Sequence, residues 1–463
     1  MACTLFRKAT VVCFFLLIGL AFSSQGVVYG MSSFKGHSSV LAAARAFPFY
    51  IPITFRRVLK ASGLQPSRNP SFEMKSGKSL QLRYPLLPVE RKKESKRYNI
   101  VWLVAESLRA DMVTEEIMPA SWGLAQKGVH FQNHYSGGNG TRMAMFAMFY
   151  GLYGNYWFSF LAERRPPLLM EILAQDHYEM EMFTSALFSY PEFDKTIFAG
   201  ISQDKLHRSE GLGWEKDRKN VTGLLEFLDR RDRSRPFMTF MFFESPHARY
   251  YFPPETVIRK PYLEEFNYVT ADLKKDIPLI KNRYVNSCRH LDTQIERILQ
   301  YLERNGMMDS TLVIVTGDHG EEFMEKGYWG HNTVSYTEEQ VRTPLILWAP
   351  GVPHRRVEHV TSHLDIPATV LSLLGISNPP EDYSLGMDLL GDRRRDYVVF
   401  SSWDDIGYRD KRYKASLPLN AYDVSGQKIT TADDGEVKDR DDFYRTCRKN
   451  LMEILKGLSR FSK

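Results

Sequence analysis

The chain has 463 residues, of which 43% are hydrophobic and 13% aromatic, too apolar a composition for a disordered polypeptide and ample for a large core. Its net charge of +6 is modest and no base-reading motif accompanies it, so nucleic acid is not an expected partner. Cys3, Cys13, Cys288 and Cys447 include no Cys-x-x-Cys pair, which excludes a disulfide framework and a thiolate zinc site and leaves a Cys288–Cys447 bridge as the single pairing to consider.

Residues 10–30, "TVVCFFLLIGLAFSSQGVVYG", carry no charge and follow Arg7-Lys8. An uncharged span of about 20 residues crosses a bilayer as a helix, whereas "AFS" at 21–23 also resembles a signal-cleavage site. Residues 1–30 are therefore a membrane anchor or a signal peptide, and either one exports the rest. Residues 31–96 read as a basic juxtamembrane linker; between 31 and 98 there are 14 Lys/Arg against 3 Asp/Glu. The segment is either solvated or lies on anionic lipid, where each basic residue contributes roughly 1 kcal/mol. Within it, 40–64 mixes aromatics, prolines and arginines, and is either folded against the main domain or interfacial.

From residue 98 short apolar runs alternate with helical patterns. "YNIVWLVAES", "HYEMEMFTSA", "PFMTFMFFES", "STLVIVTGDHG" and "TPLILWAPG" predict strands. "MPASWGLAQKGV", "RPPLLMEILAQD", "VTGLLEFLDRRD" and "YVNSCRHLDTQIERILQYLERNG" predict helices between them. The alternation implies an α/β fold: a doubly wound, mostly parallel sheet with helices on both faces, preceded by one N-terminal hydrophobic helix. The main domain is expected over 97–394. A C-terminal subdomain over 395–463 ends in the helix "DDFYRTCRKNLMEILKGLSR".

In such sheets ligands bind beyond the carboxyl ends of the strands. Glu106, the group Glu244, Ser245 and His247, and the pair Asp318-His319 all follow predicted strands. Two carboxylates and an imidazole suit Mn²⁺, Zn²⁺ or Mg²⁺, with Ca²⁺ a further option. Glu106 alone is equally a solvated loop residue or a helix cap. "NHYSGGNGTR", residues 133–142, places Thr141 where a glycine loop enters a helix. There the hydroxyl is either an N-cap or a nucleophile beside an anion-binding helix terminus. His247 and His331 are either surface loop residues or groups that donate a proton to a leaving oxygen or hold a phosphate oxygen. His363 and Asp365 are read as positioning a helix beside the site.

Taken in order, "AESLRADM", "NHYSGGNGTR", "ESPH", "TGDHGEEFMEKGYWGHN", "RTPLILWAPG" and "TSHLDIPATVLSLLGI" resemble the sulfatase branch of the alkaline phosphatase superfamily over roughly 97–375. "NHYSGGNGTR" followed by "FYGLYGNYW" is most similar to membrane-anchored inner-membrane sulfatase-like proteins, related to lipoteichoic acid synthases and phosphoethanolamine transferases. The resemblance implies one divalent metal held by Glu106, Thr141, Asp318 and His319. It implies catalytic roles for Thr141, His247 and His331, and substrate contacts from Arg142, Asn139 and Asn332. The Cys/Ser-x-Pro-x-Arg motif of true sulfatases is replaced by "NGTRM". The expected activity is thus metal-dependent phosphotransfer or phosphodiester hydrolysis by a threonine nucleophile. Its substrate would be a phospholipid headgroup or a similar exported phosphoester. Sulfate ester hydrolysis, or a non-catalytic lipid-binding regulator with the same fold, is the alternative. The expected location is the inner membrane with the catalytic domain extracytoplasmic, or secretion after signal cleavage.

Overall fold

The computed structural model describes residues 23–29, 31–32, 81–93, 96–266, 272–333, 335–403, 405–419 and 428–462. Most of the uncharged span 10–30 and most of the basic linker lie outside them. Residues 23–29 and 31–32 are helical, and no helix among the described residues is long and apolar enough to cross a membrane. Residues 77–417 and 428–463 form one compact unit.

The central sheet of that unit is built from β1 (Asn99–Ala105), β2 (Val129–Phe131), β3 (Glu179–Thr184), β4 (Leu206–Arg208), β5 (Phe237–Phe243), β6 (Thr311–Gly317), β7 (Leu345–Trp348) and β8 (Arg355–Val357). Its order is β8-β2-β7-β6-β1-β5-β3-β4. The unit's helices of seven residues or more are α1 (Pro119–Lys127), α2 (Thr141–Tyr150), α3 (Trp157–Glu163), α4 (Leu168–Gln175), α5 (Gly213–Arg230), α6 (Leu273–Arg304), α7 (Asp365–Leu373) and α8 (Arg440–Gly457). Successive strand side chains point to opposite faces, so the unbroken apolar runs serve two cores. Ile100, Trp102 and Val104 of β1 join the core that also holds apolar residues of α2, α4 and α7. Val101, Leu103 and Ala105 join the one that holds those of α1, α5 and α6. A strand covered on both faces needs no polar alternation.

β1 lies between β5 and β6 and is parallel to both, with Ala105 level with Phe243 and Gly317. This brings the three strand ends expected to carry chemistry to one edge of the sheet. The "TPLILWAPG" strand is present as β7, but it runs antiparallel to β6 and to β2. The reason is where the strand begins: Leu345, its first residue, is level with Thr316 near the end of β6, so it runs back alongside β6. A second sheet, β9 (Val398–Ser401), β10 (Asp405–Arg409), β11 (Tyr413–Pro418) and β12 (Lys428–Thr431), precedes α8. The Asp439 carboxylate caps α8 by accepting from the backbone of Asp441 and Asp442. Cys288 and Cys447 are both free and buried, so no bridge joins them; Cys288 belongs to the core formed with α1, α5 and α6. Residues 81–93, expected as part of the basic linker, belong to the compact unit, with Leu82 and Tyr84 buried in its core.

Candidate active site

The glycine loop works through close approach. A Cβ on Gly137 would stand 2.1 Å from Ala147 Cβ, and one on Gly138 would stand 2.7 Å from the Ser401 carbonyl. The loop is therefore pressed between α2 and the β9 strand end, and Ser401 N–H donates to Gly137 O at 2.8 Å. Gly140 occupies the N-cap of α2 and Thr141 is its first helical residue. The cap reading of Thr141 is thereby replaced: its hydroxyl donates to Glu106 Oε1 at 3.2 Å and lies 3.3 Å from His319 Nε2.

Asp318 and His319 are buried at the end of β6. Asp318 Oδ1 accepts from the backbone N–H of Ser107 (3.0 Å) and of His319 (2.7 Å). Its Oδ2 is buried without a hydrogen-bond partner. His319 Nδ1 lies 2.8 Å from Gly320 O, a group that only accepts, so Nδ1 carries the proton and Nε2 a lone pair. That lone pair is 3.3 Å from Asp318 Oδ2. Two acceptors facing each other in a buried site are unfavourable unless a cation or proton lies between them. Burial, then the Glu106 charge, lifts the Asp318 carboxyl well above the usual carboxylate range. Burial, then the neighbouring His331, pushes the His319 imidazole well down. Among the described residues, no group of three or more His, Cys, Asp or Glu is gathered as a ready-made metal cluster. The orphaned Asp318 oxygen and the bare His319 nitrogen nevertheless fit a divalent cation, and with Glu106 and Thr141 they make a mixed oxygen–nitrogen donor set.

The expected histidines flank this centre. His247 Nε2 stands 3.6 Å from Glu106 Oε1. The His331 ring centre is 4.2 Å from that of His319 and 5.5 Å from that of His247. Sequence reasoning missed Glu321, which is buried, lies 2.6 Å from His331 Nδ1 and accepts from the Tyr250 hydroxyl at 2.6 Å. Burial opposes a charge on His331, but the Glu321 carboxylate overrides it and lifts the imidazole to about 9. The first acidic residue after the Asp-His pair was the available signal.

Glu106, Thr141, Arg142, His247, His331 and Asn332 line a cavity of about 290 Å³. A larger cavity of about 750 Å³, beside Arg109 and Arg342, holds none of these six. Arg142, expected to contact phosphate, is engaged within the protein. Its guanidinium is 2.8 Å from Glu192 Oε2 and lies over Trp157, Tyr190 and Trp403 at 5.2, 5.3 and 4.5 Å. Tyr190 and Trp403 form an aromatic wall of the cavity that the sequence did not reveal. Asn139 differs from expectation: it is buried outside the cavity lining, and its amide donates to Thr333 O at 2.9 Å and Gln340 Oε1 at 3.2 Å. It holds the His331–Thr333 loop instead. His363 and Asp365 are buried beside α2 and at the start of α7, with Asp365 ion-paired to Arg395.

A sulfatase family model matches residues 98–376. The chain belongs to the sulfatase family. Within it, the chain is similar to inner membrane protein YejM of Salmonella typhimurium, 23% identical over 421 residues that cover 89% of the chain and 66% of the relative. The chain thus spans about two thirds of that relative's length. Two solved structures share the fold. Phosphonate monoester hydrolase of Agrobacterium radiobacter has a TM-score of 0.58 and 18% identity, covering 78% of this chain and 95% of its own. Lipoteichoic acid synthase LtaP of Listeria monocytogenes has a TM-score of 0.56 and 17% identity, covering 81% and 96%. The sulfatase fold expected from the sequence, an α/β architecture of the alkaline phosphatase superfamily, is the fold observed.

Proposed function

We propose that this sulfatase-family chain is a phosphodiesterase or phosphotransferase acting through Thr141 on exported phosphoesters, phospholipid headgroups foremost. The reading rests on one observation: an unmodified threonine hydroxyl lies 3.2 Å from the Glu106 carboxylate and 3.3 Å from the bare His319 nitrogen at the entrance of α2. A divalent cation held by Glu106, Thr141, Asp318 and His319 would supply Lewis-acid charge at the threonine oxygen. The hydroxyl proton leaves toward Glu106 Oε1, its present acceptor, and the oxygen attacks phosphorus. A Thr141 O–P bond forms and the bond to the departing alcohol breaks. The departing oxygen takes a proton from His247 or His331, the latter oriented by Glu321. The N–H groups opening α2 and the Arg142 charge favour the anionic phosphoryl group. Water then resolves the phosphothreonine in a hydrolase, and a second alcohol does so in a transferase. Asn332, on the cavity wall, contacts the substrate.

Turnover of bis(4-nitrophenyl) phosphate and of 4-nitrophenyl sulfate by wild type, Thr141→Ala and Thr141→Ser tests this, with melting curves alongside. Phosphodiester turnover is expected in wild type, a residue of it in Thr141→Ser and none in Thr141→Ala, with mass spectrometry finding phosphate on Thr141. Undiminished activity in Thr141→Ala sinks the mechanism. Preferred sulfate turnover favours a sulfatase. Lipid binding by an inactive wild type favours the regulator.

A further inference from the structure

The first two turns of α5 carry a polar side-chain group that the proposed mechanism does not use. Asp217 is fully buried there. Its Oδ1 accepts the backbone N–H of Glu244 at 3.0 Å, and its Oδ2 accepts that of Ser245 at 2.9 Å together with the Ser245 hydroxyl. Lys216, one residue earlier, ion-pairs with Glu244 and donates to Ser185 O at 2.9 Å. Asn220, nearly one turn later, donates to Thr184 O at 2.9 Å and to Ser185 Oγ at 3.0 Å. Three side chains of one helix thus fasten the ends of β3 and β5. The segment fastened at β5 leads straight to His247, whose own N–H closes the turn on Glu244 O at 2.9 Å.

We infer that Asp217 is a positioning residue: by fixing the 244–247 turn it aims the His247 imidazole at the departing oxygen, an inference that rests on the reading of Thr141 as nucleophile. A buried carboxylate is costly where a neutral residue would serve. Burial lifts this one to about 6 despite its donors. No neutral side chain of the same size offers two acceptor oxygens to these N–H and hydroxyl donors. An asparagine keeps one acceptor and turns its NH₂ toward an N–H donor. The turn then loses the bonds that fix its orientation, while the β5 strand and the Thr141 loop are untouched.

Leaving-group dependence separates this role from a purely structural one. A departing 4-nitrophenolate needs no proton, whereas a departing alkoxide does. Asp217→Asn is therefore expected to lower kcat on a dialkyl phosphodiester by about tenfold or more, to lower it far less on bis(4-nitrophenyl) phosphate, and to leave KM nearly unchanged. Equal losses on the two esters overturn the inference. Ser245→Ala, which removes one donor and leaves the carboxylate, should show the same pattern more weakly. A second readout does not depend on turnover: the His247 imidazole resonance of protein labelled in histidine should move in Asp217→Asn. An unmoved His247 resonance also overturns the inference. Wild type inert on both esters defeats the reading of Thr141, while the resonance still decides whether Asp217 governs His247.

Discussion

Two buried aspartates show how the same side chain serves opposite ends. Asp217 spends both oxygens on donors, whereas Asp318 spends one and leaves the other bare beside the His319 lone pair. Truncating Asp318 therefore removes an acceptor pair that needs a cation. Asp318→Ala, purified with Mn²⁺, Zn²⁺ or Mg²⁺, is expected to lose stoichiometric metal in elemental analysis, and full retention would refute the ligand set. For Asp217 the consequence lies in pH. Its folded value of about 6 exceeds the unfolded 3.8, so the stability it contributes is fully present below pH 3.8 and lost as pH rises through 6. The difference corresponds to about 3 kcal/mol at roughly 1.4 kcal/mol per unit. The adjacent cation, Lys216, is committed to Glu244 and does not offset it. Denaturant titrations from pH 4 to pH 7 should show this fall in wild type and not in Asp217→Asn. Parallel curves for the two proteins would contradict the assignment.

At the scale of elements, the glycine loop is held by contacts rather than by unusual torsions. Gly137→Ala brings two Cβ atoms within 2.1 Å, both on backbone that cannot swing away. Overpacking of this kind costs about 1–3 kcal/mol, and it displaces the start of α2 with it. The expected result is a lowered Tm and a loss of turnover larger than the unfolded fraction explains; unchanged Tm and activity would show that the loop has slack. The strands β1, β5 and β6 were legible because each is a mostly apolar run followed closely by polar residues, and that pattern also exposed Glu106, His247 and Asp318. The three-residue strands β2, β4 and β8 have too few side chains to carry a period. The start of α5 was hidden because Gly213–Asn220 is polar where it fastens strand ends instead of filling a core. Arg142's aromatic surroundings and Asn139's turn away from the cavity were not legible, since both depend on partners 15 to 261 positions distant in the chain.

For the whole molecule, the compact unit from residue 77 onward carries every residue of the candidate site. Membrane attachment is instead expected from what precedes it, and the two are separable. An uncharged span at 10–30 would hold by apolar burial, which salt does not weaken, while the seven basic residues against one acidic residue between 31 and 76 would hold by charge, which salt screens within a Debye length of about 8 Å. Full-length protein is expected in the membrane fraction, resistant to high-salt washing and released by detergent. Release by salt alone would leave the basic segment as the only tether, and recovery of a soluble product beginning near Ser24 would mean that the span is a cleaved signal. A chain beginning at Gly77 should leave the membrane yet keep its turnover of bis(4-nitrophenyl) phosphate. Its activity on phospholipid in vesicles should fall steeply, because the site no longer shares a surface with its substrate. Equal loss on the soluble ester would show instead that residues before 77 are part of the catalytic fold.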